Sequence, residues 1–94
     1  MYLGHYAFDG DPTLLEAGYR RLMATIPSDN LELHVVVARP DGLDIYDSCP
    51  DEATFTAFRS SREFADSLAA SGLPSPRVTG VGEVVHASVK EPVG

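Results

Sequence analysis

Ninety-four residues with 44% hydrophobic side chains, among them four Phe and four Tyr, are enough for one folded domain of a sheet plus two helices, and leave no room for a second core. The formal charge of −7, from 14 acidic against 7 basic side chains, repels phosphate backbones and anionic headgroups and so argues against nucleic acid and membrane as partners. A single cysteine cannot form an internal disulfide, no apolar run approaches the roughly 20 residues that span a bilayer, and the N-terminus shows no leader pattern, so a cytoplasmic protein is expected.

In chain order, Tyr2 to Phe8 (YLGHYAF) is aromatic-rich and runs into the turn formers Asp9, Gly10 and Asp11, which predicts a first strand. Asp11 before Pro12 is an N-cap followed by an N1 proline. It opens a helix whose apolar stripe is Leu14, Leu15, Gly18, Tyr19, Leu22, Met23 and Ile26, with Glu16 and Arg20 paired off the stripe and Pro27 to Asn30 closing it. Leu31 to Ala38 (LELHVVVA) is nearly continuous in apolar character after Glu32, as expected of a strand covered on both faces. Arg39, Pro40, Asp41 and Gly42 make a reversal, and Leu43 to Asp47 returns as the antiparallel partner.

The stretch Asp51 to Pro74 is helical, launched from a capping box at Ser48-x-x-Asp51, with Phe55 and Phe58 inward. A second box around Ser60, Ser61, Arg62 and Glu63 precedes Phe64 and Leu68 in a different phase, which predicts a break near Ser60. Gly72, Leu73 and Pro74 supply a left-handed stop, an apolar cap contact and a bar to continuation. Val78 to Val89 reads as a long fourth strand interrupted by Gly80 and Gly82, and Lys90 to Gly94 as a loose tail. Two right-handed crossovers joined by a hairpin give the ferredoxin-like split βαβ plan, an α+β domain over residues 1–94. Its four-stranded antiparallel sheet runs in the order 4-1-3-2, with both helices on one face. Strands two and four carry apolar residues in both phases, so the helix-free face needs a cover, and a two-fold, sheet-to-sheet homodimer is the simplest one.

The strand-helix junction IYDS (Ile45 to Ser48), the F-x-x-F then S-x-E-F spacing, the exit around Gly72 to Pro76 and the EVVH run (Glu83 to His86) resemble the dimeric α+β barrel superfamily, in particular its antibiotic-biosynthesis-monooxygenase-like group. The resemblance implies a ferredoxin-like protomer, a dimer whose sheets form a barrel, and a pocket for a small, often aromatic molecule between sheet and helices. Relatives in that group include cofactor-independent oxygenases, isomerases and polyketide cyclases. Where oxygenase-type members place a Trp after the third strand this chain has Cys49, and where they place a helix His it has Phe58, Arg59 and Ser60.

His34 and His86 each interrupt an apolar strand, and an imidazole there either finds a hydrogen-bond partner or handles a proton. On opposite edge strands they are far apart within one protomer. In the enzymatic reading His34 or His86 takes a phenolic or α-carbon proton, Tyr46 or Tyr6 donates to the developing oxyanion, and aromatic walls exclude water. His5 and Tyr6 are neighbours on one strand, so only one of them looks into a given pocket. Tyr19, Tyr46, Phe55, Phe58 and Phe64 either line an aromatic-binding cavity or are simply core. Gly4, Gly80 and Gly82 leave a recess or admit a close approach. Cys49 is read as a packed thiol and the series Asp41, Asp44, Asp47, Asp51 and Glu52 as a solvated rim. The histidines have no metal-ligand spacing, and neither metal nor cofactor is expected. The resulting expectation is a small dimeric barrel that binds a compact apolar or aromatic metabolite, as a cofactor-independent monooxygenase; the alternatives are a polyketide cyclase or isomerase, or a non-catalytic dimeric binding or accessory protein.

Overall fold

The structure, a computed structural model, describes residues 1–25 and 33–89. The chain runs β1 (Tyr2–Asp9), α1 (Pro12–Met23), β2 (His34–Arg39), β3 (Gly42–Cys49), α2 (Glu52–Arg59), α3 (Arg62–Ala70) and β4 (Arg77–Glu83). The four strands form one antiparallel sheet in the order β2-β3-β1-β4, which is the expected 4-1-3-2 arrangement read from the other edge. Ile26, the closing Pro27 to Asn30, the first two residues of the predicted second strand (Leu31 and Glu32) and the tail from Lys90 lie outside the described residues.

Alternation along the strands sorts the sheet into two faces. Tyr2, Tyr6 and Phe8 on β1 and Leu43 and Ile45 on β3 are buried beneath the helices together with Leu15, Leu22, Phe55, Phe64, Leu68 and Leu73. Asp11 caps α1 by accepting from the Thr13 N–H at 2.8 Å, with Pro12 in the first turn. The buried stripe of α1 is Leu15, Gly18 and Leu22. Leu14, placed in that stripe by the sequence reading, is 71% exposed, because it sits one residue, about 100° of helix rotation, away from Leu15. The Glu16–Arg20 pair forms on the outer face at 3.1 Å.

The break near Ser60 is present: Ser60 ends α2, and Ser61 caps α3 by accepting from the Phe64 N–H. Gly72 takes φ 73° and the Leu73 N–H donates back to the Leu68 carbonyl at 3.0 Å, so α3 stops as its sequence dictates. The launch of α2 differs from expectation. Asp51, not Ser48, is the N-cap and accepts from the Thr54 N–H at 2.7 Å. Ser48 remains in β3, where its hydroxyl accepts from the Leu33 N–H at 2.9 Å.

Strand four is also shorter than the predicted Val78 to Val89. Its partner β1 begins at Tyr2, which pairs with Glu83, and the last contact is the Val84 N–H to the Met1 carbonyl at 2.8 Å. Beyond it Val85 is 98% exposed. Within one chain the helices cover strand two on one face, and Val35 and Val37 on the other are 41% and 43% exposed. Gly4 and Gly80 admit a close approach rather than leaving a recess: the rings of Phe55 and Tyr2 lie directly over them, where any Cβ would overlap, whereas nothing among the described residues lies within 4 Å of a Cβ placed at Gly82. Gly4→Ala therefore overpacks the core and is expected to cost about 1–3 kcal/mol in urea unfolding, while Asp51→Ala, which removes the α2 cap, is expected to lower the urea midpoint.

Candidate functional site

Between the sheet and the helices lies a cavity of about 240 Å³. Tyr6, Phe8 and Ile45 form its floor, Leu22 and Met23 of α1 one wall, and Phe58 and Phe64 the opposite wall. The aromatic wall is held by edge contacts of Tyr6 with Phe64 at 5.5 Å and Phe58 at 6.4 Å, ring centre to ring centre, and by a tilted contact of Phe58 with Phe64 at 4.6 Å. Polar groups enter from His34, Asp47, Ser48, Cys49 and Thr54. Among the described residues no Lys or Arg lines the cavity.

The polar centre is built by hairpin register. His34 on β2 stands directly opposite Asp47 on β3, and both project to the helix side. The His34 Nδ1–H donates to the Asp47 carboxylate, which can only accept. That fixes the neutral tautomer, so Nε2 accepts from the Tyr19 hydroxyl of α1 at 2.6 Å, with the two rings nearly parallel at 5.7 Å. The hydrogen bond to Asp47 and its negative charge hold the imidazolium, outweighing partial burial, so the His34 pKa rises above its ordinary 6.5. Burial first, and then Asp47, push up the Tyr19 phenol. Burial first, then Asp47 and Cys49, push up the Tyr6 phenol as well, so it stays neutral. Cys49 is pushed up by burial, then by Asp47 and Asp51, which makes it a neutral packed thiol at the cavity wall rather than a nucleophile.

The structure thus brings Tyr6, Tyr19, Phe58 and His34 to one place and leaves the other candidates elsewhere. Phe55 is core, packed at 5.4 Å from Tyr2 and 6.2 Å from Tyr6, and does not line the cavity. Tyr46 and His5 project from the helix-free face, where their rings stack at 4.4 Å and 4°. There the His5 Nε2 meets Asp44 at 3.1 Å, and Arg39 ties Asp44, Asp41 and the Phe8 carbonyl together. His86 is exposed beyond the end of β4 and does not line the cavity. Among the described residues no group of three His, Cys, Asp or Glu side chains is placed to hold a metal ion.

Asp47 is the site residue that the sequence reading assigns to a solvated rim. Its side chain is only 19% exposed, and that of Asp44 13%, because each is engaged by a histidine. A signal for it exists: a two-residue reversal at Pro40 and Asp41 pairs residues whose numbers sum to a constant, which puts position 34 opposite 47. The raised His34 pKa carries a sign. Protonated His34 paired with Asp47 stabilises the fold fully below the unfolded value of 6.5, and that contribution is lost as pH rises through the folded pKa. An NMR titration should find the His34 midpoint above the ordinary value, and Asp47→Asn should bring it down while flattening the fall in stability across neutral pH.

No family model matches the sequence. No curated protein matches it either. Among solved structures, a Deinococcus radiodurans protein named as a candidate antibiotic biosynthesis monooxygenase is similar over 95% of this chain and 100% of its own, with a TM-score of 0.58 and 14% sequence identity. At that identity the likeness is one of fold: this chain shares the ferredoxin-like α+β fold of the Deinococcus protein, as the resemblance drawn from the strand-helix junctions implies.

Proposed function

We propose that the cavity between sheet and helices binds a compact apolar or aromatic metabolite of one or two rings. The observation that carries this reading is an aromatic-walled space of about 240 Å³ with a single His–Asp pair let into it. An apolar cavity of about 150 Å³ holds one benzene ring, so a bicyclic compound is near the upper limit. Such rings gain from burial against Tyr6, Phe58 and Phe64 and are oriented by one polar end.

The chemistry we assign to the site is cofactor-independent oxygenation; the Deinococcus protein with the same fold carries a monooxygenase activity in its name. An activated ring methylene reacts with one molecule of dioxygen to give a ring carbonyl and one molecule of water. Both C–H hydrogens and one oxygen atom leave as water, the other oxygen becomes the carbonyl, and all the electrons dioxygen takes come from the substrate carbon, so no external reductant is needed. The protein's part is to accept the first proton into the His34–Asp47 pair and to keep water from the carbanion behind the aromatic wall. Calorimetry with 2-naphthol and oxygen uptake with 2-tetralone and 2-indanone, two-ring compounds that carry an activated ring methylene, test this. Binding and turnover are expected in the wild type, with turnover lowered by His34→Ala by at least about tenfold. Binding that Leu22→Trp leaves untouched would place the ligand elsewhere, and turnover indifferent to His34→Ala would remove the His34–Asp47 pair from the proton step.

We further propose a homodimer closed through the helix-free face. Val35 and Val37 stand exposed there beside the stacked His5 and Tyr46, and a second copy is the self-complementary cover. Light scattering at micromolar concentration should give twice the chain mass, and Val35→Glu with Val37→Glu should give a folded monomer.

A further inference from the structure

Both nitrogens of His34 are already engaged, Nδ1 by Asp47 and Nε2 by the Tyr19 hydroxyl. In the neutral tautomer neither offers a lone pair to a ligand, and in the imidazolium both N–H groups are spent on those same partners. A histidine held on both sides positions its neighbours rather than meeting the ligand itself. Asp47 is differently placed. Its Oδ1 accepts from His34, whereas its second oxygen, Oδ2, has no side-chain partner among the described residues. Nor is that oxygen sealed away, since no buried side-chain N or O atom among the described residues lacks a hydrogen-bond partner. A carboxylate oxygen with unused acceptor capacity, on a residue that lines an otherwise apolar cavity, is the strongest acceptor a ligand would find there.

The charge balance of the cavity points the same way. Its titratable lining groups are His34, Asp47, Tyr6 and Cys49, and burial keeps the phenol and the thiol neutral. When His34 is neutral the cavity carries one negative charge, and when His34 is protonated it carries a closed ion pair. In neither state does it present an unpaired cation. A carboxylate or phosphate on a ligand would therefore lose its hydration to face Asp47 with no arginine or lysine to receive it. We propose that Asp47 is the specificity-determining residue of this cavity: its Oδ2 accepts a hydrogen bond from a neutral one- or two-ring ligand bearing an O–H or N–H donor, and its charge excludes ring acids of the same size. This rests on the binding reading above and refines it, moving contact with the ligand from His34 to Asp47 and leaving His34 and Tyr19 as positioning residues.

Isothermal calorimetry at neutral pH with 2-naphthol and 2-naphthoate, equal in ring system and opposite in the relevant charge, tests it. The wild type should bind the naphthol at least about tenfold tighter than the naphthoate. Asp47→Asn, whose amide can also donate, should bring the two affinities to within about threefold. Tyr19→Phe keeps the carboxylate and frees Nε2 of His34, so it should retain the preference for the naphthol. A wild type that binds both compounds equally overturns the proposal whether or not Asp47→Asn folds, and so does a preference that survives in Asp47→Asn or collapses in Tyr19→Phe. In each of those cases binding that is blocked by Leu22→Trp leaves the cavity reading standing. If neither compound binds the wild type, the cavity reading itself falls and takes the role of Asp47 with it.

Discussion

The register of the β2–β3 hairpin is the constraint on which the site depends. His34, Val36 and Ala38 meet Asp47, Ile45 and Leu43 because the reversal between Arg39 and Gly42 is two residues long. Slipping one strand by a single residue would turn one member of the His34–Asp47 pair to the opposite face, since side chains alternate with period two. The turn is fastened accordingly. Arg39 donates to Asp44 at 2.8 Å, to Asp41 at 2.9 Å and to the carbonyl of Phe8 at 3.0 Å, so one guanidinium ties the hairpin to itself and to the neighbouring β1. Gly42 belongs to the same fastening. A side chain there would collide with the Phe8 carbonyl and the Arg39 guanidinium, so only glycine lets them approach.

Placing a carboxylate beside an aromatic cavity needs compensation. Desolvating an unpaired carboxylate costs several kcal/mol, and the Phe58 and Phe64 wall contributes nothing polar. The His34 ring supplies the offset, being hydrogen-bonded to Asp47 and stacked on Tyr19, which in turn is anchored in α1. One side-chain chain therefore links the first helix, the edge strand and the cavity. Residual exposure of both members of the pair keeps the offset modest, as expected where water screens the charges.

What can be read from the sequence is whatever local chemistry fixes alone. Asp11 before Pro12, the serine pair at 60 and 61, and Gly72 with Leu73 and Pro74 act over a single turn of helix, and each behaves in the fold as its residue type requires. Misreadings arise where a distant partner outweighs a local pattern. Ser48 has capping-box spacing, but its hydroxyl is taken by the N–H of Leu33, just ahead of β2, and Asp51 caps the helix instead. Val84 to Val89 has strand composition, yet pairing with β1 ends at Glu83, opposite Tyr2. Aromatic character draws Tyr46 to the cavity, whereas strand alternation assigns it to the other face, opposite His5. The His34–Asp47 pair is legible only to a reader who trusts the two-residue reversal enough to count across it.

That count also exposes a symmetry between the two faces of β3. Asp47 meets His34 on the helix side, and three residues earlier Asp44 meets His5 on the helix-free side. The pairs differ in what else touches them. Burial alone would raise the Asp44 carboxyl, but the His5 imidazole and the N–H groups of Arg39 together hold it below the usual carboxylate range. Asp47 has no such cation among the described residues, so the same residue type that is closed off on one face keeps acceptor capacity on the other. A polar group whose partners are already satisfied can be covered by another surface at little cost, whereas one with an unused acceptor is costly to cover unless the covering molecule brings a donor. The helix-free face, with its saturated Asp44 network beside Val35 and Val37, is thus suited to being covered by protein, and the cavity, with Asp47, to being filled by something that carries a proton donor.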